Sequence, residues 1–405
     1  MEEALRLAQN LAIPSRLCLA PGPSPVPFRV RQAMANPVIG HLDPAFLAIV
    51  DAVQQDLRDV FGTANRVTLP VSGTGSAGME MSLTNFVEPG DTVVVIRQGV
   101  FGQRMAEAAE KLGAQVVAVD IPWGQICSLE ELSRVLAAHP QVRLVAVVMA
   151  ETSTGVYQPL DGWAERIHAA GALFLVDTVT ALGGIPVEVD RQGFDIVFSG
   201  TQKCLSAPPG LAPFTVNERA LERLSRRQHP VPSWYLDLLQ IREYWGNARL
   251  YHHTAPISMI YGLKEALTII QEEGLTARYR RHRQVAESLW AGLEAMGLEL
   301  MVPRTHRLTT VTTVKIPDGI EDRVVRQRLL NEAGIEIAGG LGQWAGKIWR
   351  IGVMGEGADI SHMMRLLVEL RRILHDLGMP LPSGVEALEA QYVAWERESS
   401  EWRAG

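Results

Sequence analysis

One lysine, Lys203, follows a predicted buried strand, in the place where an α/β enzyme carries its chemistry. The apolar run 196–198 predicts the strand, and the polar residues 199–202 follow it before the lysine. Residues just beyond the carboxyl end of such a strand line the ligand crevice of open α/β folds. A lysine that loses solvent there has a lowered pKa, and its amine becomes a nucleophile towards carbonyl groups. The alternative is an ordinary solvated loop lysine.

Two further strand ends bring polar side chains to the same edge. The apolar run 144–149 is followed by a hydroxyl cluster that begins at Thr152, and the run 173–176 is followed by Asp177. Because parallel strands end at one edge of a sheet, we expect Thr152, Asp177 and Lys203 to converge. A helix N-cap is the alternative role for Asp177. A carboxylate buried at that position needs a cationic or hydrogen-bonding partner.

A glycine-rich turn precedes these strands, between a β-branched run and a predicted helix. Its glycines allow backbone N–H groups to converge, and the start of the helix adds positive potential. The residues Thr74, Gly75 and Ser76 therefore predict a phosphate cradle. The turn is not a P-loop, because no Gly-Lys-Ser/Thr closes it. A plain N-capped helix after a glycine turn is the alternative.

A phosphate cradle, a buried aspartate and a strand-end lysine are the three parts that a pyridoxal phosphate site requires. The lysine forms a Schiff base, and the cradle anchors the phosphate. The aspartate keeps the pyridine nitrogen protonated, so that the ring acts as an electron sink. The sequence therefore predicts pyridoxal 5'-phosphate as the cofactor, with Lys203 and Asp177 as catalytic residues.

The overall composition is that of a globular protein with a large core. The 405 residues are 47% hydrophobic and carry a net charge of −7 without a lysine/arginine block, which argues against a nucleic-acid partner. No run reaches about 18 apolar residues, so we expect no membrane span. The three cysteines are widely spaced, and the adjacent histidines at 252 and 253 point in different directions. We therefore expect no metal site and a reduced, cytoplasmic protein.

Predicted strands alternate with predicted helices through the first half of the chain. Apolar or β-branched runs predict strands at 92–96, 116–120, 144–149, 173–176 and 196–198. Helical patterns occupy 101–112, 128–138 and 163–170. Near-continuous apolar strands separated by helices indicate a mainly parallel sheet that is covered on both faces, so the predicted fold class is α/β.

Motifs along nearly the whole chain resemble one enzyme family. They are PGPSPVP at 21–27, SGTGSAGME at 72–80, FGQR at 101–104, ETSTGVYQPLDG at 151–162, VDTVTALGGIP at 176–186, SGTQKCLSAPPG at 199–210, YHHTAPIS at 251–258, TVTTV at 310–314, and GIEIAGGLG and GKIWRIGVMG between 334 and 355. With these motifs in this order, the chain resembles the class V aminotransferases of fold type I, in particular the alanine–glyoxylate / serine–pyruvate aminotransferase group.

The resemblance implies the pyridoxal-phosphate-dependent transferase fold of type I, in which a large domain with a mainly parallel sheet precedes a smaller α+β C-terminal domain. The implied division is an N-terminal segment 1–20, a large cofactor-binding domain 21–262, a small domain 263–380 and a tail helix 381–405. It also implies a homodimer with shared active sites, acting on small amino acids and 2-oxo acids.

The resemblance assigns a cofactor role to each matched position. Lys203 binds the cofactor covalently and then moves the substrate proton, while Asp177 pairs with the pyridine nitrogen. Thr152 reaches the 3-oxygen of the ring, and Phe101 stacks on the ring where close relatives carry an indole. The implied phosphate ligands are Thr74, Gly75, Ser76 and Gln202, with Tyr251 and Thr254 reaching across from the other subunit.

Substrate binding is assigned to a second group of residues. Arg350 binds the substrate carboxylate, which a guanidinium fork suits, and Gly22 lies near that carboxylate. His41 and Tyr251, together with the proline-rich loop at 21–27, select the amino donor. Taken without the resemblance, Arg350 also fits an ordinary cation at a strand edge.

The reaction implied by the resemblance is amino transfer from alanine or serine to glyoxylate, which gives glycine and pyruvate or hydroxypyruvate. An (S)-ureidoglycine–glyoxylate aminotransferase of purine catabolism is the alternative, because the stretch IPWGQICSLEEL at 121–132 also resembles that group. That group carries amide side chains where this chain has His41 and Tyr251. A non-catalytic protein that binds the cofactor would keep the cradle but lose Lys203 or Arg350, and both are present.

Overall fold

The computed structural model describes residue 11 and residues 13–246, 248–382 and 384–401. The strands are β1 (Leu17–Cys18), β2 (Val67–Ser72), β3 (Thr92–Arg97), β4 (Gln115–Asp120), β5 (Val142–Val148), β6 (Ala150–Glu151), β7 (Val156–Tyr157), β8 (Leu173–Asp177), β9 (Ile196–Phe198), β10 (Leu211–Val216), β11 (Val311–Lys315), β12 (Ile335–Glu336), β13 (Ala338–Gly339) and β14 (Ile348–Gly352).

The helices surround these strands. They are α1 (Phe28–Met34), α2 (Pro44–Phe61), α3 (Gly75–Phe86), α4 (Val100–Lys111), α5 (Leu129–Ala138), α6 (Trp163–Ala169), α7 (Val189–Gln192), α8 (Glu218–Ser225), α9 (Leu238–Trp245), α10 (Ile257–Glu273), α11 (Leu275–Ala295), α12 (Asp322–Ala333), α13 (Ile360–Asp376) and α14 (Gly384–Glu401). None of the helices within the described ranges is long and apolar enough to cross a membrane.

A seven-stranded sheet in the order β2-β10-β9-β8-β5-β3-β4 forms the centre of the molecule. The pairs from β9 to β4 are parallel, and β10 runs antiparallel between β2 and β9. All five residues of β8 are buried, as are all but one of β5, because helices cover both faces of the sheet. The predicted α/β class with a mainly parallel sheet is therefore confirmed.

A second hydrophobic cluster lies in the C-terminal part of the chain. It packs the antiparallel sheet β11-β14-β13 against α11 and α13. β1 pairs with β12, so residues 17–18 of the predicted N-terminal segment join this part of the molecule. The predicted boundary at 262/263 falls inside α10, and most of the buried side chains of α10 belong to the larger cluster. We propose a division after α10.

The two ends of the chain fall partly outside the described residues. Residues 1–10 and 12 of the predicted N-terminal segment, and residues 402–405 of the predicted tail, are among those not described. Within the tail, α14 packs along α11.

Candidate active site

A cavity of about 200 Å³ lies at the carboxyl edge of the large sheet. The strands β5, β8 and β9 end beside it, and the first turns of α3 and α4 complete its wall. The predicted site residues that line it are Thr74, Gly75, Ser76, Phe101, Thr152, Asp177, Gln202 and Lys203. The structure thus brings together residues from five separate elements, because parallel strands release their following loops at one edge.

Lys203 lies on the loop after β9 and is only 8% exposed. Its Nζ donates a hydrogen bond to the carbonyl oxygen of Pro21. The loop is held on both sides: Ser24 Oγ donates to the carbonyl oxygen of Lys203 at 2.7 Å, and Thr201 Oγ1 donates to that of Pro208 at 2.6 Å. Burial lowers the pKa of the Lys203 amine to about 8, since the charged form loses its hydration.

Gly22 brings the proline-rich loop against this amine. Its φ is +113°, a backbone conformation that residues with a Cβ rarely adopt. A Cβ on Gly22 would lie 2.1 Å from Lys203 Nζ and 2.6 Å from Cε. Glycine is therefore required here both for the backbone conformation and for the space that the lysine occupies.

Asp177 is the last residue of β8 and is 5% exposed. Its Oδ1 accepts a hydrogen bond from the backbone N–H of Val179 at 2.8 Å, while Oδ2 accepts none from any described residue. Burial raises the pKa of the carboxyl to about 7, and the negative charge of Glu151 acts in the same direction. A cationic N–H group in the cavity would supply the partner that this carboxylate lacks.

The start of α3 offers donors to an anion. Thr74 is the N-cap residue, yet its side chain makes no capping hydrogen bond, and the hydroxyl of Ser76 also has no partner among the described residues. The first backbone N–H groups of an α-helix lack partners of the usual intrahelical kind, and residues 74–76 bring this helix start to the cavity. Gln202 Oε1 is buried without a partner and completes this group. These unpaired groups fit a phosphate.

Phe101 and Thr152 line the cavity between the cradle and the strand ends. Phe101 lies on the first turn of α4, and the guanidinium of Arg104 sits 5.0 Å from its ring centroid. Thr152 Oγ1 forms a hydrogen bond with Thr180 Oγ1, so a hydroxyl pair stands beside the strand ends. A planar aromatic ligand would meet a ring face and a hydroxyl here.

Arg350 reaches this region from the smaller sheet. It lies in the middle strand β14 and is 7% exposed. Its Nε donates to Gly339 O at 2.8 Å and its Nη1 donates to Thr152 O at 3.2 Å. Burial lowers the pKa of Arg350, and no carboxylate among the described residues pairs with it within 4.0 Å. A buried guanidinium with free N–H groups is suited to a carboxylate ligand.

Gly22 and Arg350 contact residues of the cavity, whereas three other predicted residues lie apart from it. His41, Tyr251 and Thr254 lie elsewhere on the same chain, with the His41 and Tyr251 rings 5.2 Å apart. Tyr251 is 61% exposed and Thr254 is also exposed. Within one chain, His41 and Tyr251 therefore form a pair outside the cavity.

Sequence reasoning missed Glu151 and Arg104. Glu151 is fully buried, and its carboxylate accepts hydrogen bonds from the backbone N–H groups of Phe101 and Gly102 at 3.2 and 3.3 Å. It therefore holds the first turn of α4, which carries Phe101, and burial raises the pKa of its carboxyl. Arg104 lies in the motif at 101–104 and Glu151 in the motif at 151–162, so the motifs themselves could have indicated that both residues belong to the site.

Pyridoxal phosphate has a group to pair with each polar side chain of this cavity that lacks a partner among the described residues. Its phosphate suits the cradle, its pyridine nitrogen suits Asp177 and its aldehyde suits the amine of Lys203. On a seven-stranded, mainly parallel sheet, that arrangement defines a pyridoxal-phosphate-dependent transferase of fold type I.

Comparison with known proteins specifies the family. The sequence profile of the family described as "Aminotransferase class-V" matches residues 29–354. The chain therefore belongs to the class V aminotransferases, it is a transaminase, and its cofactor is pyridoxal phosphate.

Relatives with different amino donors are similar to this chain. An alanine–glyoxylate aminotransferase of Oryctolagus cuniculus is 40% identical, covering 92% of this chain and 95% of its own. The crystal structure of an alanine–glyoxylate aminotransferase from Nostoc sp. has 48% identity and a TM-score of 0.88, covering 89% of this chain and 96% of its own. The crystal structure of a ureidoglycine–glyoxylate aminotransferase from Bacillus subtilis has 40% identity and a TM-score of 0.92. The match covers 95% of this chain and 99% of the Bacillus subtilis chain.

Replacing Gly22 with alanine tests the contact with Lys203. We expect kcat to fall by at least about tenfold, because the new methyl group displaces the amine and a misplaced catalytic group is costly. Steady-state kinetics of the reconstituted enzyme measure this. Gly319→Ala is the matched control: its φ is +81° and no atom of the described part of the chain lies within 4 Å of the added Cβ, so only the backbone strain is shared. Equal kcat values for the two variants would contradict the prediction.

The lowered pKa of Lys203 predicts how fast the apoenzyme takes up its cofactor at different pH values. Only the neutral amine attacks the aldehyde. We expect the rate constant to rise about tenfold per pH unit up to about pH 8, and to level off above it. Stopped-flow absorbance measures the rate. A rate that keeps rising to the ordinary lysine pKa of 10.5 is the result that rejects this prediction.

Proposed function

We propose that this protein transfers the amino group of a small amino acid, alanine or serine, to glyoxylate. The observation that carries the amino-acid chemistry is the hydrogen bond from Arg350 to Thr152, which holds a buried guanidinium beside the Lys203 cavity. Glyoxylate as acceptor is supported by the relatives, since enzymes named for alanine and for ureidoglycine both carry glyoxylate in their names.

Four residues in and around the cavity have defined tasks in this proposal. Bound pyridoxal phosphate supplies an electron sink that acidifies the Cα–H of an amino acid. Asp177 keeps the ring nitrogen protonated, and Lys203 removes the Cα proton as general base with a pKa near the working pH. Arg350 binds the substrate carboxylate and so orients the Cα–H bond. Glu151 holds the turn that presents Phe101.

The amino donor is the finer part of the proposal, and a donor panel tests it. With glyoxylate as acceptor, we expect kcat/KM for alanine or serine to exceed that for (S)-ureidoglycine by at least about tenfold, which is about 1.4 kcal/mol in transition-state binding. The support is the aromatic pair His41 and Tyr251, which in the homodimer proposed below would reach the cavity of the other subunit. This pair lacks the amide groups that a ureido substrate would engage. Faster turnover of ureidoglycine would replace this donor with the alternative one.

A homodimer with shared sites is also proposed. Leu250 and Tyr251 are adjacent in sequence, and Trp234 stacks on the next residue, His252, with the ring centroids 4.5 Å apart. All three large side chains, Trp234, Leu250 and Tyr251, are at least 60% exposed, and such a cluster marks an interaction surface. A second copy of the chain would cover them and bring Tyr251 and Thr254 to the cradle of the other subunit. Sedimentation equilibrium at micromolar concentration tests this, and a monomer with full activity would exclude it.

The proposed compartment is the cytoplasm, in keeping with three free cysteines.

A further inference from the structure

A second cavity lies at the opposite, amino edge of the large sheet. Its volume is about 370 Å³. The turn before β3, the first residues of β5 and the end of α8 with its following turn enclose it. The lining residues are Glu88, Pro89, Asp91, Arg143, Arg223, Arg226, Gln228 and His229. The sheet separates it from the Lys203 cavity, which lies at the carboxyl ends of the same parallel strands.

Three arginines line this cavity, and the ion pairs that two of them make with described carboxylates are long. The guanidinium groups of Arg143, Arg223 and Arg226 donate no hydrogen bond to any described residue. Arg143 lies 3.9 Å from Asp91 and Arg226 lies 3.9 Å from Glu222, both beyond hydrogen-bond distance. No carboxylate of the described chain lies within 4.0 Å of Arg223. The guanidinium N–H donors, about five on each side chain, are therefore unsatisfied by the protein.

Arg223 is the central member of this group. It is partly buried, and burial lowers the pKa of its guanidinium. The positive charge of Arg143 lowers that pKa further, while Asp91 and Glu88 oppose the effect. Two like charges held near each other in a partly desolvated cavity repel, and a bound anion would relieve the repulsion.

The two carboxylates of the cavity are already engaged by the backbone. Glu88 Oε1 accepts hydrogen bonds from the N–H groups of Gln228 and His229, both at 2.8 Å. Burial alone would raise the pKa of the Glu88 carboxyl, but the hydrogen bonds from Gln228 and His229 lower it. Asp91 Oδ2 accepts from the N–H of Glu88 at 3.0 Å. Both acids therefore fix the shape of the turns, and neither neutralises an arginine at close range.

We propose that this cavity binds a small multivalent oxyanion with two or more phosphate or carboxylate groups. Guanidinium forks bind both kinds of group bidentately. Three cations surround the space against two carboxylates, so a singly charged anion gains little there. An anion that bridges two or three guanidinium groups would accept hydrogen bonds from most of the N–H donors that the protein leaves unpaired. The ligand would bind apart from the substrate, on the opposite edge of the sheet.

Isothermal titration calorimetry of the holoenzyme at low ionic strength tests the proposal. The bound cofactor keeps the titrant out of the phosphate cradle, and low salt avoids screening of exposed charges. Pyrophosphate and citrate are the two probes, and acetate is the singly charged comparison. We expect one saturable site per chain for pyrophosphate or citrate, and the preferred probe distinguishes a phosphorylated from a carboxylic ligand. Acetate should bind at least about tenfold more weakly.

Variants locate the binding. Arg223→Gln should weaken the preferred probe by at least about tenfold and leave transamination unchanged, because its guanidinium donates no hydrogen bond to any described part of the protein. Arg242→Gln is the control: Arg242 is a surface arginine on the neighbouring α9, paired with Glu243 at 3.3 Å, and its loss should change the affinity by less than about twofold. Absence of saturable binding up to about 10 mM, or equal affinities for the wild type and Arg223→Gln, would overturn the proposal. Neither result bears on the proposed transaminase activity.

Discussion

Replacement of Lys203 with alanine is expected to abolish transamination, with kcat/KM falling by at least about 10⁴-fold. The amine both holds the cofactor and moves the Cα proton, so two tasks are lost together. The fold should survive, because among the described residues Lys203 Nζ donates only to the carbonyl oxygen of Pro21.

Single-turnover kinetics with alanine, together with the visible absorption of the bound cofactor, measure the loss. Lys315→Ala is the matched control, since Lys315 is exposed and pairs with Glu299 at 3.0 Å on the surface. We expect its kcat/KM to stay within about twofold of the wild type. Added methylamine should partly restore proton transfer in Lys203→Ala, which separates loss of the base from misfolding. Unchanged turnover in Lys203→Ala would refute the assignment of this residue.

Asp177→Asn is expected to lower kcat by about 10²- to 10⁴-fold. The substitution removes the anion that keeps the ring nitrogen protonated, and breaking a buried ion pair costs about 3–5 kcal/mol. The asparagine oxygen can still accept the Val179 N–H group, so the local backbone should not change. The pH dependence of kcat and the absorption of the bound cofactor measure the effect. A variant with the wild-type kcat is the outcome that rejects the pairing.

In the apoenzyme, the same substitution is expected to increase the stability of the fold above neutral pH. Burial raises the pKa of Asp177 from 3.8 to about 7, so the folded state binds more protons than the unfolded state between those values. The stability that Asp177 contributes is therefore fully present below about pH 4 and is lost as the pH rises through about 7. The asparagine side chain does not titrate, so the melting temperature of the apo variant should exceed that of the wild type at about pH 8.

Asp195→Asn serves as the control for both measurements. Asp195 is fully buried just before β9, and its Oδ2 accepts from the N–H of Phe174 at 2.7 Å and contacts His168. It does not line the cavity. We expect this variant to lose stability at all pH values while the cofactor spectrum stays unchanged. If Asp195→Asn altered the spectrum as strongly as Asp177→Asn, the effect would not report on the ring nitrogen.

The parallel part of the large sheet was predictable from its apolar runs. The run 196–198 is observed unchanged as β9, and 173–176 extends by one residue to Asp177 in β8. β5 begins two residues earlier than expected, because the exposed Arg143 interrupts its apolar pattern. β10 was not predicted, since a proline argues against a central strand. Pro213 pairs with Pro70 of β2, and it is tolerated because it lies just outside the ladder of β10 with β9, which covers Phe214 to Val216.

By itself, the sequence determined which residues end the parallel strands, and hence that Thr152, Asp177 and Lys203 meet near a glycine-rich helix start. That convergence follows from chain direction alone, since parallel strands end at one edge. Only the tertiary structure brought Arg350 from the smaller sheet to Thr152, Gly22 to Lys203 and Glu151 under α4. These contacts join elements that are far apart in sequence, and packing between two sheets, which no local pattern encodes, sets their distances.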